Sequence, residues 1–292
     1  MIEATTGYVQ SVAGRLWWKR LDPSTDAVPI VLLHGGPGMP SYYLEPFEAL
    51  ADERPVIFYD QLGCGRSDLT PDPSCYTLAS FVADLHTLTD ALGLRTFHLL
   101  GHSWGGMLAL AYTASHPERV ASLVLSSPLV DVAAWCADAA DLVQRLPEPM
   151  RRGIEDPRDE AGNPSPAYRA AEAEFYRRHF CRLDPWPETL QRTMAELGTE
   201  SYETMWGPNE FTLAGNLRGQ DLSPVVEELT VPNLWLCGSE DEARPTSVRH
   251  FSELNPLGRY EEFPGGTHCG HLEQSTHYIA AVRRFLLLTP DR

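Results

Sequence analysis

One serine stands inside a pentapeptide bounded by glycines, GHSWG at residues 101–105. The apolar run FHLL at residues 97–100 precedes it, and a helical pattern follows over residues 107–114. Ser103 is therefore predicted to lie on a tight strand-to-helix turn, where glycines are needed because backbones approach closely. Such a turn exposes the hydroxyl as a nucleophile, although an ordinary glycine-rich turn with a helix-capping serine is the other interpretation.

A serine hydroxyl needs a base to remove its proton, so a histidine and an orienting carboxylate are expected further along the chain. With this type of turn they follow in the order serine, carboxylate, histidine. The predicted strand NLWLC at residues 233–237 is followed by an acidic cluster, in which Asp241 is the preferred carboxylate. Its neighbours Glu240 and Glu242 are the alternatives, and a solvated acidic turn is the remaining interpretation.

The histidine is expected on the loop after the last strand, where GGTHCGH at residues 265–271 offers two candidates. His268 is nearer the strand and lies five residues before Glu273, so it is the predicted base. His271 is expected to be structural or to line a pocket. Alternatively, His268, His271 and Glu273 could ligate a metal, but the sequence has no second cluster of His or Cys residues that would complete such a site. We therefore expect no metal and no organic cofactor.

Attack by a serine creates a negatively charged oxygen, which two backbone N–H groups commonly stabilise. One donor is expected from Trp104, directly after the nucleophile. The other is expected from the loop HGGPG at residues 34–38, where glycines allow close approach. Gly36 is the preferred donor, and Gly35 is the alternative and a candidate substrate contact.

Apolar runs alternate with helical patterns along the first 128 residues, as in parallel sheets covered on both faces. An antiparallel hairpin is expected at residues 7–18, on the sheet edge. The alternation stops over residues 129–220, where proline- and glycine-rich breaks separate helix-like segments. The sequence predicts an α/β-hydrolase fold, a mostly parallel sheet flanked by helices. Residues 1–128 and 221–292 are expected to form the catalytic domain, and residues 129–220 an inserted helical cap.

The sequence pattern predicts six strands and five helices. The strands are residues 29–33, 56–59, 97–100, 120–125, 233–237 and 260–263, and the helices are residues 78–92, 107–114, 167–180, 188–197 and 276–288.

Net charge, the lengths of apolar runs and the cysteine pattern limit the partners and the compartment that are expected for this protein. The 292 residues carry a formal net charge of −17, which disfavours nucleic acid and anionic lipid as partners and mildly favours a cationic substrate. Neither a secretory signal nor an apolar run of about 18 residues is recognised. The six cysteines are scattered without CxxC pairs, as is typical of free thiols. A cytoplasmic protein with no membrane or nucleic-acid partner is expected, and composition does not determine its oligomeric state.

Three motifs taken together resemble those of the prolyl aminopeptidases, also called proline iminopeptidases. They are HGGPG at residues 34–38, DQLGCGRS at 60–67 and GHSWGG at 101–106. The similarity extends to MWGPNEFT at residues 205–212, within the predicted cap, and is closest to the branch that includes the tricorn-interacting aminopeptidase. The resemblance implies a serine peptidase that releases an N-terminal residue, often proline, from peptides or amides.

The same resemblance implies that two glutamates bind the free α-ammonium of the substrate, and by motif these are Glu210 and Glu242. An independent physical reason supports such a pair, because a buried ammonium needs carboxylates around it. Tyr202, Trp186 and Trp206 are expected to line the pocket or to pack within the cap. The expected substrate is a short peptide, amide or ester with a free amino group.

This sequence departs from the family pattern at His102, where many members carry a small residue, and at His271 and Leu272. His102 is expected to adjust the base of the pocket. Both His102 and His34 are expected to be buried, hydrogen-bonded core residues rather than catalytic groups. Three alternative functions remain: an amino-acid amidase, a small-molecule esterase or lactonase, and a non-catalytic binding protein.

Overall fold

The computed structural model describes residues 2–23, 25–70, 72–159 and 161–289, and the remaining positions lie outside the described residues. Its centre is an eight-stranded sheet with the strand order β1-β2-β4-β3-β5-β6-β7-β8. The strands are β1 (Glu3–Gln10), β2 (Arg15–Asp22), β3 (Ile30–Leu33), β4 (Val56–Tyr59), β5 (Phe97–His102), β6 (Val120–Ser126), β7 (Asn233–Gly238) and β8 (Gly258–Phe263).

The sheet is parallel from β4 through β8, whereas β1 and β2 are antiparallel and lie at one edge. The predicted edge hairpin is therefore present. Strands β3, β5 and β6 are buried along their whole length, which explains why they read as continuous apolar runs. These features confirm the predicted α/β-hydrolase fold.

Helices cover both faces of the sheet. The α-helices are α1 (Leu78–Ala91), α2 (Trp104–Ser115), α3 (Val132–Gln144), α4 (Glu148–Glu155), α5 (Pro166–Phe175), α6 (Glu188–Ala195), α7 (Thr199–Met205), α8 (Ser223–Glu227), α9 (Pro245–Glu253), α10 (Gly270–Glu273) and α11 (Ser275–Leu287). Shorter 3₁₀ segments are Pro73–Cys75 and Pro117–Arg119, and a longer one spans Ser41–Asp52. The sequence pattern does not predict this longer segment, in which Pro46 interrupts the helical pattern.

Helices α3 to α8 lie between β6 and β7, and α3 to α7 fall within residues 129–220, where the sequence pattern is irregular. The predicted helix at residues 167–180 is shorter than expected, because α5 ends at Phe175 and a π-helical turn covers Tyr176–Phe180. Side-chain caps fix two of these helices at their start. Asp131 accepts the N–H of Ala133 at α3, and Ser165 accepts the N–H of Tyr168 at α5.

Two large hydrophobic clusters cover the two faces of the sheet, and a smaller third cluster joins α3 to α5. Alternate residues of β3 divide between the two large clusters, with Val31 and Leu33 on the α1–α2 side and Ile30 and Leu32 on the α11 side. Burial on both faces fixes the strand ends, which in turn position the loops that follow them. No helix within the described ranges is long and apolar enough to cross a membrane.

Candidate active site

Ser103 occupies the tight turn between β5 and α2 with φ 56° and ψ −123°, a conformation that a side-chain-bearing residue rarely adopts. Glycine is required at both ends of the pentapeptide because a side chain would not fit there. A Cβ on Gly101 would lie 2.2 Å from the carbonyl oxygen of Gly105, and one on Gly105 would lie 2.1 Å from that of Leu33. The G-x-S-x-G spacing is thus a packing requirement of the turn that presents Ser103.

Asp241 and His268 come together after β7 and β8. The Nδ1 of His268 lies 2.8 Å from Oδ1 of Asp241, and both side chains are buried. Because a carboxylate accepts, Nδ1–H donates to Asp241 and Nε2 remains available for a proton. Ser103 and His268 line the same cavity, although the Ser103 hydroxyl makes no hydrogen bond with any residue that the structure describes. The alternative carboxylate Glu240 is 49% exposed and faces Arg182.

Three further donors hold the carboxylate of Asp241. The backbone N–H groups of Gly238 and Ala243 lie 3.2 and 2.8 Å away, and the Ser127 hydroxyl donates to Oδ2 at 2.6 Å. Ser127 follows β6 and has a positive φ of 48°. Sequence reasoning missed Ser127, since its only signal is a polar residue directly after a buried strand.

Gly36 and Trp104, the two predicted oxyanion donors, both have backbone N–H groups that are not engaged elsewhere in the part of the chain that the structure describes. Gly36 lines the cavity and has φ 110°, and a Cβ there would meet the backbone N of Gly38 at 2.6 Å. Trp104 is the first residue of α2, so its N–H has no intrahelical acceptor. Within the described ranges, neither of these two N–H groups donates a hydrogen bond.

The prediction that Gly35 is an alternative oxyanion donor and a substrate contact requires correction. Gly35 is buried behind the cavity wall, and its N–H donates to the hydroxyl of Tyr43 at 2.8 Å. A donor already engaged in this way is not available to a substrate oxygen. Gly35 therefore supports the loop, and Gly36 is the residue of this pair that faces the cavity.

Hydrogen bonds beneath Trp104 join the loop at residues 34–38 to the loop at residues 60–67. The Trp104 indole N–H donates to Oε1 of Gln61 at 2.8 Å, and Nε2 of Gln61 donates to the carbonyl of His34 at 3.0 Å. The Gln61 N–H also donates to Nε2 of His34. His34 is the buried, hydrogen-bonded core residue that the sequence predicts, and burial lowers its pKa to about 4.

Glu210 and Glu242 both line the cavity that contains Ser103. Oε1 of Glu242 lies 3.5 Å from Nε2 of His268, and its buried Oε2 has no hydrogen-bond partner within the described residues. Glu210 receives the Tyr202 hydroxyl at 3.1 Å and the Trp135 indole N–H at 3.5 Å. The two carboxylates and the predicted base therefore line the same cavity.

Burial raises the pKa of both glutamates. For Glu242 the pKa rises well above its usual range, and the nearby carboxylates of Glu210 and Asp241 raise it further. For Glu210 the hydrogen bond from Tyr202 and the proximity of His268 offset part of the rise. A cation entering the cavity would relieve both the desolvation and the mutual repulsion of these carboxylates.

The cavity has a volume of about 500 Å³, and six aromatic residues contribute to its lining. Tyr202 and Trp206 contribute to the lining, as the sequence suggests, whereas Trp186 packs behind Phe180 with ring centroids 5.7 Å apart. Sequence reasoning missed other lining aromatics because they lie where motifs are weakest; they are Trp135, Tyr168, Tyr176 and Phe180.

The segment that follows α5 is joined to the loops of the predicted triad. The N–H groups of His268 and Cys269 donate to the carbonyls of His179 and Phe180 at 2.9 and 2.8 Å. The N–H of Glu242 also donates to the His179 carbonyl, at 3.3 Å. The helical region between β6 and β7 thus helps to position both loops.

The possible metal ligands of the histidine loop have other partners. The Glu273 carboxylate accepts the N–H and hydroxyl of Thr267 and the N–H of Arg182, and His271 contacts the Tyr43 carbonyl at 3.2 Å. In the part of the chain that the structure describes, no group of three or more His, Cys, Asp or Glu side chains is arranged to hold a metal ion.

Comparison with known proteins places this geometry in a family. The model of the α/β-hydrolase fold family matches residues 28–275. The proline iminopeptidase of Heyndrickxia coagulans is 37% identical, over 97% of this chain and 98% of the relative. The chain belongs to the proline iminopeptidase family.

Solved structures agree with membership of the proline iminopeptidase family. The crystal structure of the Mycobacterium smegmatis proline iminopeptidase matches with a TM-score of 0.89 and 35% identity, covering 97% of each chain. The crystal structure of VinJ matches with a TM-score of 0.93 and 32% identity, over 98% of this chain and 99% of VinJ. The chain is thus an α/β-hydrolase of the proline iminopeptidase type along nearly its whole length.

Proposed function

We propose that this enzyme releases an N-terminal residue, proline or another small apolar residue, from short peptides or amino-acid amides. One observation carries the proposal: Ser103, His268 and the carboxylates of Glu210 and Glu242 line a single cavity. The names of the relatives support a prolyl substrate. The roles of individual residues below are part of the same proposal.

The reaction begins when Nε2 of His268 takes the proton of the Ser103 hydroxyl, whose oxygen then attacks the carbonyl carbon of the first residue. The N–H groups of Gly36 and Trp104 stabilise the oxyanion. The protonated His268 then donates to the leaving amine, the C–N bond breaks and an acyl-enzyme forms. A water molecule, deprotonated by His268, attacks this ester and releases the N-terminal residue and Ser103.

The position of the carboxylates favours an aminopeptidase. In an α-amino acid the nitrogen is only about 2.5 Å from the carbonyl carbon, so an ammonium site must adjoin the reacting atoms. Glu242, 3.5 Å from Nε2 of His268, meets that condition. Paired buried carboxylates also disfavour a blocked, uncharged N-terminus, which would leave them without a counter-charge.

The two sequence regions supply different parts of the proposed enzyme. Residues 1–128 and 221–292 provide the nucleophile, the triad partners and the oxyanion donors, while residues 129–220 act as a cap that provides Glu210 and Tyr202. The six cysteines form no disulfide, which supports a reducing compartment such as the cytoplasm. The chemistry requires no metal or organic cofactor.

The test compares proline arylamide with its N-acetylated counterpart. Wild type should cleave only the free amine, and Ser103→Ala should abolish cleavage while retaining the fold. Glu210→Gln and Glu242→Gln should each raise KM at least tenfold, whereas Glu240→Gln, on the exposed neighbour, is the matched control and should not. Equal turnover of both substrates, or unimpaired glutamine variants, would contradict the proposal and favour an esterase or amidase that ignores the amine.

A further inference from the structure

A continuous chain of hydrogen bonds runs beneath the cavity through His102, the residue before the nucleophile. The Nε2 of His102 lies 2.9 Å from the carbonyl oxygen of His268, and its Nδ1 lies 2.8 Å from the Tyr43 hydroxyl. The Gly35 N–H donates to that same hydroxyl at 2.8 Å. All of these groups are buried, and His102 does not line the cavity, so it does not shape the pocket base as the sequence suggests.

The direction of each bond follows from the acceptors. A carbonyl oxygen can only accept, so Nε2 of His102 carries the hydrogen and Nδ1 holds a lone pair. The Tyr43 hydroxyl therefore donates to Nδ1 and accepts from Gly35. Burial keeps both rings uncharged, because it lowers the pKa of His102 and raises that of Tyr43 well beyond their usual ranges.

We propose that His102 and Tyr43 are positioning residues that lock the oxyanion loop and the histidine loop to the nucleophile turn. The inference rests on the proposed function for the roles of Ser103, Gly36 and His268. Each catalytic group lies on a different segment, and His102 is covalently joined to Ser103. It hydrogen-bonds directly to the histidine loop, and it is linked to the oxyanion loop through the Tyr43 hydroxyl. Small displacements matter in such a site, because an error of about 1 Å can cost on the order of a hundredfold in rate.

Contacts with neighbouring side chains hold the residues of this hydrogen-bond chain in place. His271 stacks on Phe47 with ring centroids 5.5 Å apart, and its Nε2 lies 3.2 Å from the Tyr43 carbonyl oxygen. The ring of His102 lies 4.7 Å from that of His268. A small residue in place of His102 would leave the Tyr43 hydroxyl without an acceptor for its hydrogen. It would leave the His268 carbonyl with only the Ser127 hydroxyl, at 3.4 Å, and the loss of a hydrogen-bond partner is costly for a buried polar group.

Different substitutions test the two ends of this hydrogen-bond chain, the link to the oxyanion loop and the link to the histidine loop. Tyr43→Phe keeps the ring but removes the acceptor of the Gly35 N–H, which frees the oxyanion loop. His102→Ala removes both links, and His102→Gln restores a donor for the His268 carbonyl. His98→Gln is the matched control, since His98 is a buried histidine on the same strand whose Nδ1 contacts Ser122.

The decisive readout is the rate at which a fluorophosphonate without an amine labels Ser103, since this reports on the nucleophile whatever the substrate is. Tyr43→Phe and His102→Ala should each slow labelling at least tenfold and lower kcat alike, with KM changed less than threefold. His102→Gln should recover part of the loss, and His98→Gln should label within twofold of wild type. Affinity for a boronate, which forms a tetrahedral adduct, should fall more than affinity for the free product.

The outcomes separate the two proposals. Labelling within twofold of wild type in folded Tyr43→Phe would overturn the positioning role, and so would equal losses of boronate and product affinity. If His102→Ala does not fold, Tyr43→Phe and His102→Gln carry the test. A wild-type enzyme that labels normally but leaves proline arylamide intact would overturn the proposed substrate and leave the positioning role standing.

Discussion

Oε1 of Glu242 lies 3.5 Å from Nε2 of His268, the nitrogen that would exchange a proton with Ser103. The proposed ammonium site and the base are therefore immediate neighbours. A carboxylate in this position would attract a bound ammonium directly beside the reacting atoms. We therefore expect the binding of an N-terminal amine to respond to pH.

The pH dependence of KM should reveal the acidic pair. Burial raises the pKa of Glu210 and Glu242, so these groups lose their protons at higher pH than exposed glutamates do. Only the ionised forms attract an ammonium, and KM should therefore fall as pH rises through their range. Steady-state kinetics over the pH range in which the enzyme stays folded would show this slope in wild type and a flatter, higher KM in Glu242→Gln. An identical slope in both enzymes would refute the assignment.

Ser127→Ala should lower kcat about tenfold. The substitution removes the 2.6 Å hydrogen bond to Asp241, and a bond to a charged group contributes about 1.5–3 kcal/mol. Ser126→Ala is the control, because the adjacent Ser126 hydroxyl instead contacts Tyr278 at 2.7 Å. Equal kcat values for the two alanine variants would show that Ser127 does not orient the triad.

Asp84→Asn should stabilise the fold at neutral pH. Burial raises the pKa of Asp84 to about 6, against 3.8 for an unperturbed aspartate, so the folded protein binds this proton more tightly than the unfolded chain. The stability from this group is full below about pH 4 and is lost as pH rises through 6. A shift of about two pKa units corresponds to an upper limit of about 3 kcal/mol.

Urea unfolding of Asp84→Asn should therefore show a gain of about 1–3 kcal/mol at pH 7.5 that disappears near pH 4. Asp90→Asn on the same helix should show no gain, because Asp90 is exposed and paired with Arg119. A gain of equal size at both pH values would rule out titration of Asp84 as its source.

Asp60→Asn should destabilise the protein by up to about 3 kcal/mol, the lower end of the range for removing one partner of a buried ion pair, because Arg66 is partly exposed. Asp60 is fully buried and accepts from the Arg66 guanidinium at 2.7 and 2.9 Å and from Ser41, while Arg66 stacks 3.2 Å from the Trp17 ring centroid. The exposed pair of Asp68 and Arg15 offers a control, and Asp68→Asn should cost at most about 1 kcal/mol. Comparable unfolding midpoints for both variants would contradict this difference.

Sequence reasoning succeeded where local geometry dictates residue type. Gly101 and Gly105 leave no room for a Cβ, so the turn at Ser103 is visible as a pattern. Buried strands such as β3 and β6 appear as apolar runs for the same reason. In each case the constraint acts within a few residues of its signal.

Reasoning failed where a role depends on distant partners. Gly35 looked available to a substrate, yet Tyr43, on the unpredicted 3₁₀ segment, takes its N–H. Ser127 and Trp135 gain their importance from Asp241 and Glu210, which lie far away in the chain. Only the folded arrangement reveals such contacts, because nothing at these positions differs from an ordinary serine or tryptophan.

The carbonyls of His179 and Phe180 accept N–H groups from the loops that hold Glu242 and His268. Residues 129–220 are consequently not an interchangeable module. Grafting them from a relative would also replace backbone acceptors for the loop that holds His268, the proposed base, and activity could be lost even with a well-shaped new pocket. Libraries that diversify this region to change selectivity should keep residues 179 and 180 fixed and vary the aromatic residues that line the cavity.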